Sequence, residues 1–252
     1  MALITLNFFS EVLGMQTEVM VILPQKSSTG EIGINAKADD DAYKCLYLLH
    51  GLSDDQTVWM RRTSIERYAI DHGICVVMPC GGRSFYSNIK NGMAYYDYIA
   101  KELPRRIREF FHVSHKREDT FIAGNSMGGY GALKIALKEC DTFCAAAALS
   151  PCCDLIGAGY QDILESIFGE PKMPEEDDAV CLAKLTDSNP NKPRLYVAMG
   201  TNDFLYETIK PFCQQVNACS YDFTYVETDA RHSWAFWDEQ IQDALKWMFH
   251  KE

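Results

Sequence analysis

Apolar positions along this chain recur with two periods, and the way the periods alternate predicts the architecture. Residues 3–9 and 17–23 alternate apolar and polar side chains, the period-two pattern of half-buried strands, and are expected to pair antiparallel. Residues 24–42 are polar with Gly and Ser, which predicts a loop. Beyond them, short continuous apolar runs alternate with runs at helical spacing. The apolar runs predict strands at 43–50, 74–79, 120–124, 143–150, 194–200 and 221–227, and the helical spacing predicts helices at 64–72, 94–111, 128–139, 206–216 and 237–250. Strands apolar on both faces, separated by helices, belong to a mostly parallel sheet covered on both sides. Right-handed crossovers then place the strand-to-helix turns along one edge, where ligands bind. No internal repeat or low-complexity linker interrupts residues 1–252, which are expected to fold as one α/β domain. Residues 151–193 break the rhythm with weak periodicity and an acidic run, and are expected to form a lid or a substrate-binding insertion.

One junction carries a chemical signal. Gly124-Asn125-Ser126-Met127-Gly128, continued by Gly129-Tyr130-Gly131, fits G-x-S-x-G between a predicted strand and a predicted helix. So tight a turn leaves the serine in a strained backbone at its tip. The glycines two residues to either side avoid collisions that a side chain would cause. Ser126 is therefore the candidate nucleophile, and the N–H of Met127, opening the helix, is free to bind an oxyanion.

A serine hydroxyl needs a base. Of six histidines, only His232 and His250 follow Ser126. His250 lies in the last predicted helix, two residues from the end of the sequence, and reads as a surface residue. His232 follows the last predicted strand on the ligand-binding edge, and is the candidate base. The orienting acid is expected after the preceding strand, which selects Asp203. Two alternatives stand beside it: Asp203 as the cap of the helix that follows, and Asp229 as the acid. The loop after the first buried strand, His50-Gly51-Leu52, offers the N–H of Leu52 as the second oxyanion donor, with His50 in a structural role. Trp59, Phe85, Tyr86, Trp234 and Phe236 either line an acyl pocket or pack the core.

The formal charge of -11, from 24 basic and 35 acidic residues, opposes nucleic-acid binding and attraction to anionic membranes. Two acidic runs, 39–41 and 175–178, are expected to be solvated loops. The ten cysteines show neither C-x-x-C nor zinc-ligand spacing, and several sit inside apolar runs. With no signal-peptide pattern or membrane-spanning run, these features predict reduced thiols in a cytoplasmic protein. A leaderless secreted protein with disulfides is the alternative.

Taken together, LLHGLSDDQTVW at 48–59, GGRSFYSN at 81–88, ELPRRI at 102–107, KREDTFIAGNSMGGYGALK at 116–134, GTNDFLY at 200–206 and HSWAFWD at 232–238 resemble the esterase D family of α/β-hydrolases. The resemblance runs over most of the chain, and is greatest to the bacterial tributyrin esterase branch. It implies the α/β-hydrolase fold, a triad of Ser126, Asp203 and His232, and an oxyanion hole from Leu52 and Met127. It further implies hydrolysis of short-chain acyl esters without metal or cofactor. Relatives of this kind include acetyl and feruloyl esterases, S-formylglutathione hydrolases and mycolyltransferases, and they often associate into homo-oligomers. The chain departs from the pattern at Asn125, where leucine or histidine is usual, and at Ser233, where an acid is frequent. Thioester hydrolysis, acyl transfer to an alcohol, a thiol enzyme and an inactive binding protein are the competing readings.

Overall fold

The computed structural model describes residues 1–25 and 42–249. Most of the expected loop at 24–42, the acidic run at 39–41 and His250 lie outside the described residues. Eight strands form a single sheet: β1 (Ala2–Ser10), β2 (Met15–Leu23), β3 (Cys45–Leu49), β4 (Cys75–Pro79), β5 (Thr120–Asn125), β6 (Ala145–Leu149), β7 (Arg194–Gly200) and β8 (Phe223–Thr228), in the spatial order β1-β2-β4-β3-β5-β6-β7-β8. β1 and β2 make an antiparallel hairpin in the register Leu6↔Val19, and β2 runs antiparallel to β4. From β4 to β8 every pairing is parallel.

The central strands are buried along their whole length because both faces are covered. Successive side chains alternate between two cores. Tyr47 and Leu49 of β3 point into one with Val77 and Ile122, and Leu46 and Leu48 point into the other with Val76 and Ala123. The first core is closed by α4 (Leu103–Phe110), α5 (Met127–Lys138), α7 (Ala179–Leu185) and α8 (Lys210–Asn217). The second is closed by α1 (Val58–Arg62), α2 (Ile65–His72) and α9 (Trp234–Phe249). The run of four alanines in β6 leaves room for α5 on one face and α9 on the other. No helix among the described residues is long and apolar enough to cross a membrane.

The predicted helix at 94–111 is three pieces: α3 (Tyr95–Asp97), a π-helical turn (Tyr98–Glu102) and α4. Pro104 has no N–H to continue an α-helical ladder, and the Leu103 N–H reaches back to the carbonyl of Tyr98, five residues earlier. The wider turn buries Glu102. Its carboxylate accepts from the N–H of Glu11 at 2.8 Å and from the Ser10 hydroxyl, and so ties down the β1–β2 turn. α9 begins three residues earlier than the spacing suggests, and the short α1 carries too few residues to show a period.

Residues 151–193 hold more structure than their weak periodicity suggests. They contain α6 (Gln161–Phe168) and α7, the latter packed on α5 and α8. The acidic run at 175–178 is solvated only in its first half. Glu175 and Glu176 are exposed, whereas Asp178 caps α7 by accepting from the N–H groups of Val180 and Cys181 at 2.7 and 3.0 Å. Asp177 is buried, and bridges Lys134 at 3.1 Å and Lys138 at 2.8 Å on α5. Lys134 is itself fully buried, and also donates to the Phe85 carbonyl and the Ser87 hydroxyl. Burial alone would raise the Asp177 carboxyl, but the two ammonium groups outweigh it and hold the pKa at about 2, while burial brings Lys134 down to about 8.

Replacing Asp177 by Asn leaves the Lys134 ammonium buried without a carboxylate, and is expected to cost about 3 kcal/mol at pH 7, read by urea denaturation. Because the folded Asp177 pKa lies below its unfolded value, this deficit should be full above about pH 4 and narrow as pH falls towards about 2.

Candidate active site

β5 delivers the chain to a corner. Ser126 has φ 54 and ψ −117, a left-handed conformation rare for a residue with a side chain, and α5 starts at the next residue. Its backbone is held by its N–H on the Leu149 carbonyl at 2.8 Å and by the Tyr130 N–H on its own carbonyl at 3.1 Å. The flanking glycines are a steric requirement. A Cβ on Gly124 would lie 2.5 Å from the Gly128 carbonyl, and one on Gly128 would lie 2.5 Å from the Leu49 carbonyl oxygen.

Two loops at the carboxyl ends of β7 and β8 meet the serine. His232 Nδ1 lies 2.8 Å from Asp203 Oδ2, and its Nε2 lies 3.0 Å from Ser126 Oγ. With Nδ1–H donating to the carboxylate, Nε2 is left to accept the serine proton. Asp203 does not cap the helix that follows, where the N-cap position is Leu205 without a side-chain bond. Its second oxygen, Oδ1, accepts from the Leu205 N–H at 2.9 Å, so the carboxylate serves the following turn and His232 together. Asp229 instead takes a hydrogen bond from the Asn202 side chain. The His232 ring is held edge-on by Trp237, with centroids 4.8 Å apart, and flanked by Phe204 at 4.7 Å.

Leu52 lies at the cleft beside Ser126, and Met127 is the first residue of α5. Among the described residues neither N–H has a protein acceptor, as expected of a helix start and an open turn. The loop carrying Leu52 is fixed from beneath by His50. The Gly81 N–H donates to His50 Nε2 at 2.9 Å, so His50 Nδ1–H donates to the Gly51 carbonyl at 2.7 Å. Burial lowers the His50 pKa and keeps the ring neutral, which this donor–acceptor pattern requires.

Ser126, His232 and Leu52 line a cleft of about 330 Å³, within the usual range for a small-molecule site. A larger hollow of about 860 Å³ lies at the amino ends of β3 and β5, the opposite edge of the sheet, and contains none of these residues. Of the aromatic residues expected to line a pocket, Trp234 does so. Trp59, Phe85 and Tyr86 do not, and this corrects the expectation: all three are buried in the core. Trp59 donates its indole N–H to the Leu49 carbonyl at 3.0 Å and packs behind Trp234. Phe85 stands behind Tyr160, and Tyr86 donates its hydroxyl to the His50 carbonyl at 2.9 Å, bracing the loop below Leu52. Phe236 is buried as well.

The cleft also takes in Arg83, Tyr160, Phe204 and Trp237, which the sequence reading passed over. Phe204 adjoins Asp203 in a quoted motif, and Trp237 shares a helical face with Trp234, so both were within reach of a residue-by-residue reading. Among the described residues no group of three or more His, Cys, Asp or Glu could hold a metal ion.

Asn125, directly before the serine, is fully buried, and among the described residues neither its Oδ1 nor its Nδ2 is hydrogen-bonded. Unpaired buried polar atoms cost about 1–3 kcal/mol. Asn125→Leu is therefore expected to raise the thermal midpoint, corresponding to about 1–2 kcal/mol, in a calorimetric comparison with the parent.

Residues 10–248 match the Esterase family. The chain is 29% identical over 263 residues to an acetyl esterase of Caldicellulosiruptor saccharolyticus, covering 98% of each. It superposes on the fluorophosphonate-binding serine hydrolase F of Staphylococcus aureus with a TM-score of 0.87 and 36% identity over 99% of both chains. An S-formylglutathione hydrolase of the same organism gives 0.85 and 36%, again over 99% of both chains. The chain thus belongs to the Esterase family, and is a carboxylic ester hydrolase with the α/β-hydrolase fold.

Proposed function

We propose that the protein is a serine carboxylesterase acting on short-chain acyl esters through an acyl-serine intermediate. The observation that carries this reading is the unbroken hydrogen-bond chain from Ser126 Oγ through the His232 ring to Asp203, open to the cleft at its serine end. Ser126 Oγ attacks the ester carbonyl as His232 Nε2 takes its proton, and Asp203 stabilises the imidazolium. The N–H groups of Leu52 and Met127 receive the oxyanion. His232 returns the proton to the leaving alcohol, and water then releases the acyl group by the same route.

The modest cleft and the acetyl esterase relative support acetyl to butyryl groups, with acetylated sugars and feruloyl esters as candidate substrates. The S-formylglutathione hydrolase neighbour favours one second reading, a thioesterase using the same residues. Parallel assays on S-formylglutathione and on acetyl and butyryl esters separate the two. All ten cysteines are free thiols, which supports a reducing, cytoplasmic setting.

Ser126→Ala, with its fold verified by circular dichroism, is expected to lower kcat for p-nitrophenyl acetate by about 10⁴-fold or more; undiminished turnover ends the proposal. Asp203→Asn should cost about 10⁴-fold in kcat, because the amide favours the wrong imidazole tautomer, whereas Asp229→Asn should leave kcat within about twofold. Burial pushes the Cys152 thiol up to about 12, so Cys152 supplies no ready thiolate, and iodoacetamide is expected to leave turnover intact.

A further inference from the structure

Arg83 is mounted unlike the other residues of its loop. Ser84, Phe85, Tyr86 and Ser87 are buried, and only Arg83 among residues 83–87 is exposed. The loop holds three left-handed backbones: Gly82 at φ 54, Phe85 at φ 48 and Tyr86 at φ 53. Such conformations persist where the surroundings over-determine them. Here Ser84 Oγ donates to the Gly81 carbonyl at 2.7 Å and accepts the Tyr86 N–H at 3.0 Å, while Lys134 grips the Phe85 carbonyl at 3.1 Å. A rigid, strained turn therefore presents one guanidinium to the cleft that holds Ser126.

Among the described residues, neither that guanidinium nor the Tyr160 hydroxyl on the same cleft has a hydrogen-bond partner. Arg83 has no hydrogen bond or ion pair among the described residues, and Asp54, the carboxylate at the cleft on the oxyanion loop, is not paired with it. Tyr160 enters the cleft from residues 151–193 with its ring against Phe85 and, among the described residues, its hydroxyl unbonded. The Arg83 charge acts on that phenol and favours its ionised form, although burial prevails and raises the pKa. A forked cation and a phenolic donor serving one cleft are the donors a carboxylate accepts from. A neutral ester offers a guanidinium only uncharged oxygen acceptors, whereas a carboxylate adds charge and matches its fork with two oxygens, and in a chain of formal charge -11 a local cation favours entry of an anionic substrate.

We propose that Arg83 and Tyr160 form a carboxylate-binding subsite, and that the preferred substrates are short-chain esters carrying a carboxylate away from the scissile bond. The inference rests on Ser126 as the nucleophile. The carboxylate belongs either to the alcohol half or to the acyl half of the ester, and both positions share this chemistry.

Two matched pairs distinguish the positions: 4-acetoxybenzoate against its methyl ester, and mono-4-nitrophenyl glutarate against 4-nitrophenyl butyrate. In at least one pair, Arg83→Ala is expected to lower the charged-to-neutral ratio of kcat/KM by about tenfold, mainly through KM. Tyr160→Phe should lower it by about threefold, and Arg83→Lys should recover part of the loss. Raising NaCl from about 50 to 500 mM should erode the ratio in the parent enzyme but not in Arg83→Ala. Equal losses on both members of each pair, or unchanged ratios, overturn the subsite. Ser126→Ala in the same assays tests the nucleophile separately: if it abolishes turnover of the neutral esters while Arg83→Ala leaves the ratios unchanged, the subsite fails and the esterase mechanism stands.

Discussion

The site depends on a close approach of backbone to backbone. Where β5 turns into α5, Gly124 and Gly128 lie so near each other and the Leu49 carbonyl that no Cβ fits. That closeness forces Ser126 into its left-handed conformation and lifts its hydroxyl clear of the sheet. The same turn makes Met127 the first residue of a helix, so an N–H without an intrahelical acceptor lies beside the hydroxyl. The proposed nucleophile and oxyanion donor are thus consequences of one steric constraint. The strain it stores is offset by the burial of α5, whose residues from Met127 to Leu137 are all inside the protein.

The other parts are brought to that corner by buried polar groups. Tyr86 and His50 hold the loop below Leu52 through a hydroxyl on a carbonyl and a neutral imidazole between two backbone groups. Lys134 links the Phe85 carbonyl to Asp177, so the loop bearing Arg83 and the segment bearing Tyr160 are braced by one buried ammonium. The indole N–H of Trp237 is anchored on the Ser150 hydroxyl while its ring meets His232, and Asp203 divides its two oxygens between the imidazole and its own turn. Each brace spends a buried polar group on orientation, which is how a site is kept within the tolerance its chemistry needs.

Much of the frame was legible because buried parallel strands need continuous apolar runs and helices between them need a 3.6-residue period. β6 shows this well: alanine favours helices, yet Ala145–Leu149 is a strand, and its place in the alternation signalled so. The candidate nucleophile, base and acid were also readable, since a glycine-flanked serine at a strand–helix junction and loops after the last two strands are properties of chain order. Local patterns faltered where contacts are distant. α6 and α7 are short, and their order comes from packing and from Asp177 and Asp178, which look like a solvated acidic run until α5 presents its lysines. Trp59, Phe85 and Tyr86 sit in motifs beside the chemistry but face the core, because nearness in sequence does not tell which way a ring points.

The sequence by itself determined the alternation that builds the sheet, the turn that exposes Ser126, and the chain order in which an acid and a histidine reach the same edge. These follow from periodicity and from glycine's missing side chain, both local properties. Only the tertiary structure decided which aromatics meet the cleft, that Asp203 divides its carboxylate between two donors, and that Arg83 and Tyr160 stand at one cleft without a hydrogen-bond partner among the described residues. Those depend on which residues meet across tens or hundreds of positions of chain. Burial and hydrogen-bond satisfaction are settled there by the whole packing, which no short window of sequence contains.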